Sequence, residues 1–163
     1  MSRGGLILFV CTGNFCRSPM AEALLKQLLR QDAKEGSYQV RSAGTWTREG
    51  LSPSPLALQA TQDLGLDISA HRSHHLTAQD IEAAKLVIVM TQDHKEALWA
   101  EFPQARAKLY LLSEMAGERR DIHDPSGSGS LQLHRRCAED IKELLEKGYS
   151  RMLKLASADP QET

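Results

Sequence analysis

An α/β fold, a three-layer doubly wound sandwich with a parallel sheet between helical layers, is what this 163-residue chain predicts. Two continuous apolar runs bounded by turns, LILFV (6–10) and KLVIVM (85–90), have the signature of strands covered on both faces. Strand-like and helix-like segments alternate along the chain, as βαβ units require. No internal repeat or low-complexity segment interrupts that alternation. The length suits one domain, 1–163, with a core that needs no staple.

The elements follow in order. Strand 6–10 runs into the loop Cys11-Thr12-Gly13-Asn14-Phe15-Cys16-Arg17-Ser18. Ser18 is a candidate helix cap, and Pro19 suits a first turn whose N–H would be unpaired anyway. Ala21, Leu24, Leu25, Leu28 and Leu29 then share one helical face. YQVRSAG (38–44) reads as the second strand, and a helix from about Pro55 stops at Gly65. Thr77 caps a short helix (77–84) ahead of strand 85–90. The next helix ends at Pro103, and AKLYLL (107–112) is the fourth strand. Residues 113–130 are polar and Gly-rich, hence a loop. A long amphipathic helix, 131 to about 155, turns Leu133, Cys137, Ile141, Leu144 and Leu145 to the core, and the tail from about 157 is expected to fray.

The bulk numbers exclude several classes. A formal net charge of −1 advertises no basic face for nucleic acid or membrane surface. No apolar run approaches the roughly 20 residues of a membrane span, and the start lacks a signal-peptide core, so a cytoplasmic monomer is expected. Three cysteines are too few for a secreted disulfide framework.

In parallel sheets of this kind, ligands bind beyond the carboxyl ends of the strands. Loops 11–18, 43–52, 91–93 and 113–130 gather at that end. Loop 11–18 enters a helix N-terminus, where unpaired backbone N–H groups and the helix dipole favour an anion. Gly13 relaxes the backbone and Asn14 tolerates the left-handed region. Arg17 offers a charged fork matched to phosphate oxygens. A cysteine in that field is favoured as thiolate, the competent nucleophile. Cys11 is therefore the candidate to attack phosphorus, with Arg17 and the loop amides holding the equatorial oxygens. No metal or other cofactor enters this chemistry. A proton donor for the leaving group is still needed, and DIHDPSGSG supplies Asp121 and Asp124, barely separable on physics alone.

VCTGNFCRSPMAEALL, RSAGTW, LVIVMTQDHKEAL and HDPSGSG together resemble the low-molecular-weight protein tyrosine phosphatase family, over roughly residues 6 to 155. The resemblance implies a four-stranded parallel sheet in order 2-1-3-4. It implies Cys11 as nucleophile, Arg17 as phosphate ligand and Asp124 as general acid. It places Asn14, Ser18, Ser42 and His71 in a network that supports the loop, and Cys16 as a thiol able to form a protective disulfide with Cys11. The implied substrates are phosphorylated proteins, phosphotyrosine first. Phe15 stands where tyrosine-directed members carry an aliphatic residue and the arginine-phosphatase branch carries Thr. Ser126 replaces an aromatic and His123 a proline. Trp46 is then the candidate second wall of a substrate slot beside Phe15. Protein-arginine phosphatase is the alternative, because Phe15 would crowd a planar phosphoguanidinium. Arsenate reductases have a similar loop but need a further cysteine pair, and here only Cys137 is left over.

Blander readings apply elsewhere. Cys137 lies on an apolar stripe and belongs to the core. His74, His75, His94 and His134 read as solvated surface histidines, and no second paired-ligand cluster accompanies Cys11 and Cys16 as a metal knuckle would require.

Overall fold

The computed structural model describes residues 4–157, so most of the expected frayed tail lies outside the described residues. Strands β1 (Leu6–Cys11), β2 (Gln39–Gly44), β3 (Ala84–Val89) and β4 (Leu109–Leu111) form a parallel sheet in the order β2-β1-β3-β4. The expected order is thus observed. Helices α1 (Arg17–Gln31), α2 (Pro55–Gln62), α3 (Ala78–Ala83), α4 (Gln92–Glu101), α5 (Leu112–Met115) and α6 (Leu131–Leu155) complete the chain.

The period of two along the central strands decides what each face touches. Ile7, Phe9 and Cys11, with Leu86 and Ile88, join the core built with Met20, Leu24 and Leu25 of α1 and Ile141, Leu144 and Leu145 of α6. Leu6, Leu8 and Val10, with Val87 and Val89, join a second core with Ile81 of α3 and Leu98 of α4. Every residue of β1 is buried, and each large aliphatic or aromatic side chain so placed contributes about 1.5–3 kcal/mol. The alternation also delivers the Cys11 side chain to the α1 side of the sheet.

Local departures from expectation have local causes. Ser18 does not cap α1: Cys16 holds the cap position with no side-chain bond, and the Ser18 hydroxyl is turned to the site. β4 is shorter than 107–112 because Pro103–Lys108 winds into a 3-10 helix and Leu112 already opens α5. That short helix interrupts what reads as a continuous loop from 113. Leu133 is 45% exposed, not core, since it sits in the first turn of α6, whereas Cys137, Ile141, Leu144 and Leu145 are buried as expected. No helix of the described residues is long and apolar enough to cross a membrane.

Candidate active site

The segment between β1 and α1 wraps the end of the sheet and is anchored from outside through its carbonyls. Four of its carbonyls accept hydrogen bonds from outside the loop. Thr45 N–H donates to Cys11 O at 2.9 Å, Trp46 N–H to Thr12 O at 3.0 Å, and Ser54 N–H to Phe15 O at 2.9 Å. The His71 Nε2–H donates to Asn14 O at 2.7 Å. In a trans peptide the N–H points opposite the preceding C=O, so the amides of Thr12, Gly13, Phe15 and Cys16 turn away from these anchors. Such a concavity of N–H groups at a helix start is an anion cradle.

Two special backbone positions allow the tight wrap. Asn14, with φ 57°, is the left-handed residue of the loop, a role its short polar side chain tolerates. Gly44 ends β2 against the loop, where a Cβ would stand 2.6 Å from Thr12 O. Gly13 needs no positive φ; a side chain there would run into the Phe15 ring, which folds back over it.

A buried polar chain fixes the hydroxyl beside the sulfur. Asn14 is fully buried, and its Nδ2 donates one hydrogen to Ser18 Oγ at 2.8 Å and the other to Ser42 Oγ at 2.9 Å. Asn14 Oδ1 accepts from His74 N–H at 2.8 Å, which fixes the amide's orientation. Ser42 gives its own hydrogen to Glu22 Oε1 at 2.7 Å, and Glu22 is held by Lys26 at 2.6 Å. Ser18 therefore accepts from Asn14, and its hydroxyl hydrogen is free for Cys11 Sγ, 2.9 Å away. A donated hydrogen bond at sulfur stabilises a thiolate over a thiol. Glu22 went unnoticed in the sequence. Its place one turn after Ser18 on α1 was the available signal.

Arg17 is 4% exposed and closes the cradle from the first turn of α1. Its Nη1 donates to Ile122 O at 2.9 Å, and its Nη2 lies 3.5 Å from Asp124 Oδ2. The loop before α6 thus brings Asp124 to the guanidinium, while Asp124 Oδ1 accepts from Ser126 N–H at 3.0 Å. Asp121 is occupied elsewhere: its Oδ1 accepts the first amide of α4, Gln92 N–H, at 2.8 Å. Geometry separates the two carboxylates that the sequence left close.

The other candidate residues fall around this centre. Phe15 is half-buried, and Trp46, 82% exposed, stands on the segment whose backbone is pinned to Thr12. Cys11, Cys16 and Cys137 are buried free thiols. Burial, then neighbouring Cys137 and Cys11, pushes the Cys16 thiol far up, and burial pushes Cys137 up to about 12. Among the described residues no group of three or more His, Cys, Asp or Glu is placed to hold a metal ion.

Two histidines correct the surface reading. His134 is buried and its Nδ1–H donates to Ser130 O at 2.8 Å. His94, on the first turn of α4, is only 8% exposed and its Nε2 lies 2.8 Å from Thr12 Oγ1. Its position just beyond β3, at the carboxyl end of the sheet, was the signal. His74 is half-exposed; burial alone would lower its proton affinity, but Asp80 and Glu49 together outweigh that and raise it. His75 is exposed, as expected.

Burial, with the Arg17 charge second, holds His94 down at about 4 against an ordinary 6.5. The folded protein keeps this imidazole neutral while the unfolded chain takes up a proton as pH falls below 6.5. Stability is therefore lost progressively from 6.5 towards 4. At pH 5 this contributes a loss of about 2 kcal/mol. A His94→Gln variant lacks that titration, so its thermal midpoint falls less between pH 7 and pH 5 than the wild type's.

Similarity to known proteins agrees with this geometry. Residues 6–157 match the family model described as low molecular weight phosphotyrosine protein phosphatase. A protein-arginine-phosphatase of Bacillus subtilis (strain 168) is 37% identical over 142 residues, covering 86% of this chain and 92% of the relative. A probable low molecular weight protein-tyrosine-phosphatase, EpsP of Ralstonia solanacearum, is 40% identical over 119 residues, covering 73% of this chain and 77% of its own. Among solved structures, a YwlE arginine phosphatase mutant with a phosphorylated active-site serine superposes with a TM-score of 0.84 at 34% identity, covering 97% of this chain and 99% of that one. The chain is a phosphatase of the low molecular weight phosphotyrosine protein phosphatase family.

Proposed function

We propose that this phosphatase hydrolyses phosphotyrosine in proteins through a cysteinyl-phosphate at Cys11. One observation carries the reading: Cys11 Sγ, with the Ser18 hydroxyl at 2.9 Å, lies in an amide cradle closed by a buried Arg17 that also meets Asp124. The thiolate attacks phosphorus in line with the ester oxygen. The loop amides and the Arg17 fork hold the three equatorial oxygens, where charge collects in the transition state. An incoming phosphoryl group takes the place of the Asp124 carboxylate against Arg17. Protonated Asp124 then delivers its proton to the departing oxygen. In the second step the same carboxylate accepts a proton from the water that cleaves the S–P bond, returning phosphate, the Cys11 thiolate and the protonated Asp124 that began the cycle.

Asn14, Ser42 and Glu22 act by orienting Ser18, and His71 by holding Asn14 O. Trp46 and Phe15 border the phenol ring. Cys16, a neutral thiol in the resting protein, is the partner for a protective disulfide with Cys11 after oxidation. The phosphorylated active-site serine of the related arginine phosphatase mutant supports a covalent route. The protein acts as a monomer in the cytoplasm.

The identity to protein-arginine-phosphatases favours a second reading, phosphoarginine as the substrate, with the same residues in the same roles. A panel of phosphotyrosine, phosphoarginine and phosphoserine peptides with a small aryl phosphate separates the two. The expected order places phosphotyrosine first and phosphoserine last, because Phe15 crowds a planar phosphoguanidinium. Faster phosphoarginine turnover reverses the assignment.

A further inference from the structure

We propose that His94 is a positioning residue for the phosphate cradle, acting through Thr12, the residue that follows the nucleophile; the role rests on the phosphatase reading above. Thr12 sits between two of the inward amides, its own and that of Gly13. Backbone bonds from Thr45 and Trp46 secure the outward carbonyls on either side of it. The side-chain bond from His94 to Thr12 Oγ1 secures the Cα between those two peptides.

His94 Nδ1 is buried with no partner. A bare ring lone pair is cheaper to bury than an unpaired N–H, so the proton is on Nε2 and is donated to Thr12. An imidazole buried with one nitrogen unsatisfied costs stability, which favours a role in the site over one in packing.

The element that carries His94 is itself referenced to the acid loop. Thr91 Oγ1 caps His94 N–H at 3.2 Å, and Asp121, three residues before Asp124, takes the Gln92 amide. Ile122 N–H donates to Met90 O at 2.9 Å just ahead of α4. The cradle and the Asp124 loop are thus tied twice, once through Arg17 and Ile122 O and once through Thr12, His94 and the start of α4. The second tie holds the Thr12 and Gly13 amides in register with the nucleophile and the acid.

The test is a mutant cycle on the full chain with Thr12→Val, His94→Ala and their combination, plus Thr12→Ser and His94→Gln. Hydrolysis of a small aryl phosphate, affinity for inorganic phosphate and thermal midpoint are read on each. Each truncation should lower kcat/KM about tenfold, the scale of one positioned hydrogen bond. The double variant should be no worse than the weaker single one. Thr12→Ser and His94→Gln, which keep an acceptor and a donor in reach, should recover most of the loss. Losses that multiply, a Gln variant as impaired as Ala, or wild-type kcat/KM in Thr12→Val would each overturn the proposal. Should His94→Ala fail to fold, the Thr12→Val and Thr12→Ser pair decides alone. A wild type that binds phosphate but turns nothing over would sink the phosphatase reading. The cycle, read in phosphate affinity, would still judge His94.

Discussion

Cys11→Ser lowers turnover by at least about a thousandfold, while inorganic phosphate still binds in the loop. The two halves of this expectation come from different parts of the site. Binding depends on the inward amides and on Arg17, and neither is touched by exchanging sulfur for oxygen. Turnover depends on a sulfur nucleophile, and a serine hydroxyl in the same place is a far weaker one. The Asn14–Ser18 bond persists in the variant, so the cradle keeps its shape. Phosphate affinity by calorimetry and steady-state rates on an aryl phosphate check the pair. Activity near wild type would remove Cys11 from its role.

Asp124→Asn gives the second large effect, and it depends on the leaving group. With a poor leaving group such as tyrosine's phenolate, loss of the proton donor costs about 10²–10⁴ in rate. With a nitrophenolate that departs unassisted, the loss is far smaller. The Asn side chain still accepts from Ser126 N–H, so the loop turn survives. Equal losses with both esters would move the acid elsewhere. Asp121 is a poor substitute because its carboxylate caps α4.

The sequence made the frame legible where information was local. β1 and β3 are continuous apolar runs bounded by turns, and the observed strands lie within a residue of that reading. The anion cradle followed from a buried strand, a loop and an arginine at a helix start. What stayed hidden depends on partners far apart in the chain. Thr12 and His94 are 82 residues apart, and only the passage of β3 beside β1 brings α4 over the loop. No periodicity within α4 encodes that neighbour, so a buried histidine read as a solvated one. Glu22 was masked similarly, as a charged residue on an otherwise ordinary amphipathic helix. Ser18 shows the opposite error: its residue type and place fitted a helix cap, but the hydroxyl is claimed by Asn14 and Cys11. Asp124 and Asp121 are barely separable on sequence physics and family resemblance tips the choice to Asp124, while the physical distinction comes with the hydrogen bonds of each carboxylate.

Phosphoryl transfer to Cys11 should leave a covalent intermediate on the enzyme. Its most direct measurement is rapid quench of wild-type protein into neutral denaturant during turnover of an aryl phosphate, followed by mapping of bound phosphate on proteolytic peptides, with acid avoided throughout. The expected result is a phosphoryl group trapped on the peptide containing Cys11, appearing as fast as the phenol is released and absent without substrate. Phosphate on any other residue, or phenol release with no covalent species at any time, would contradict it.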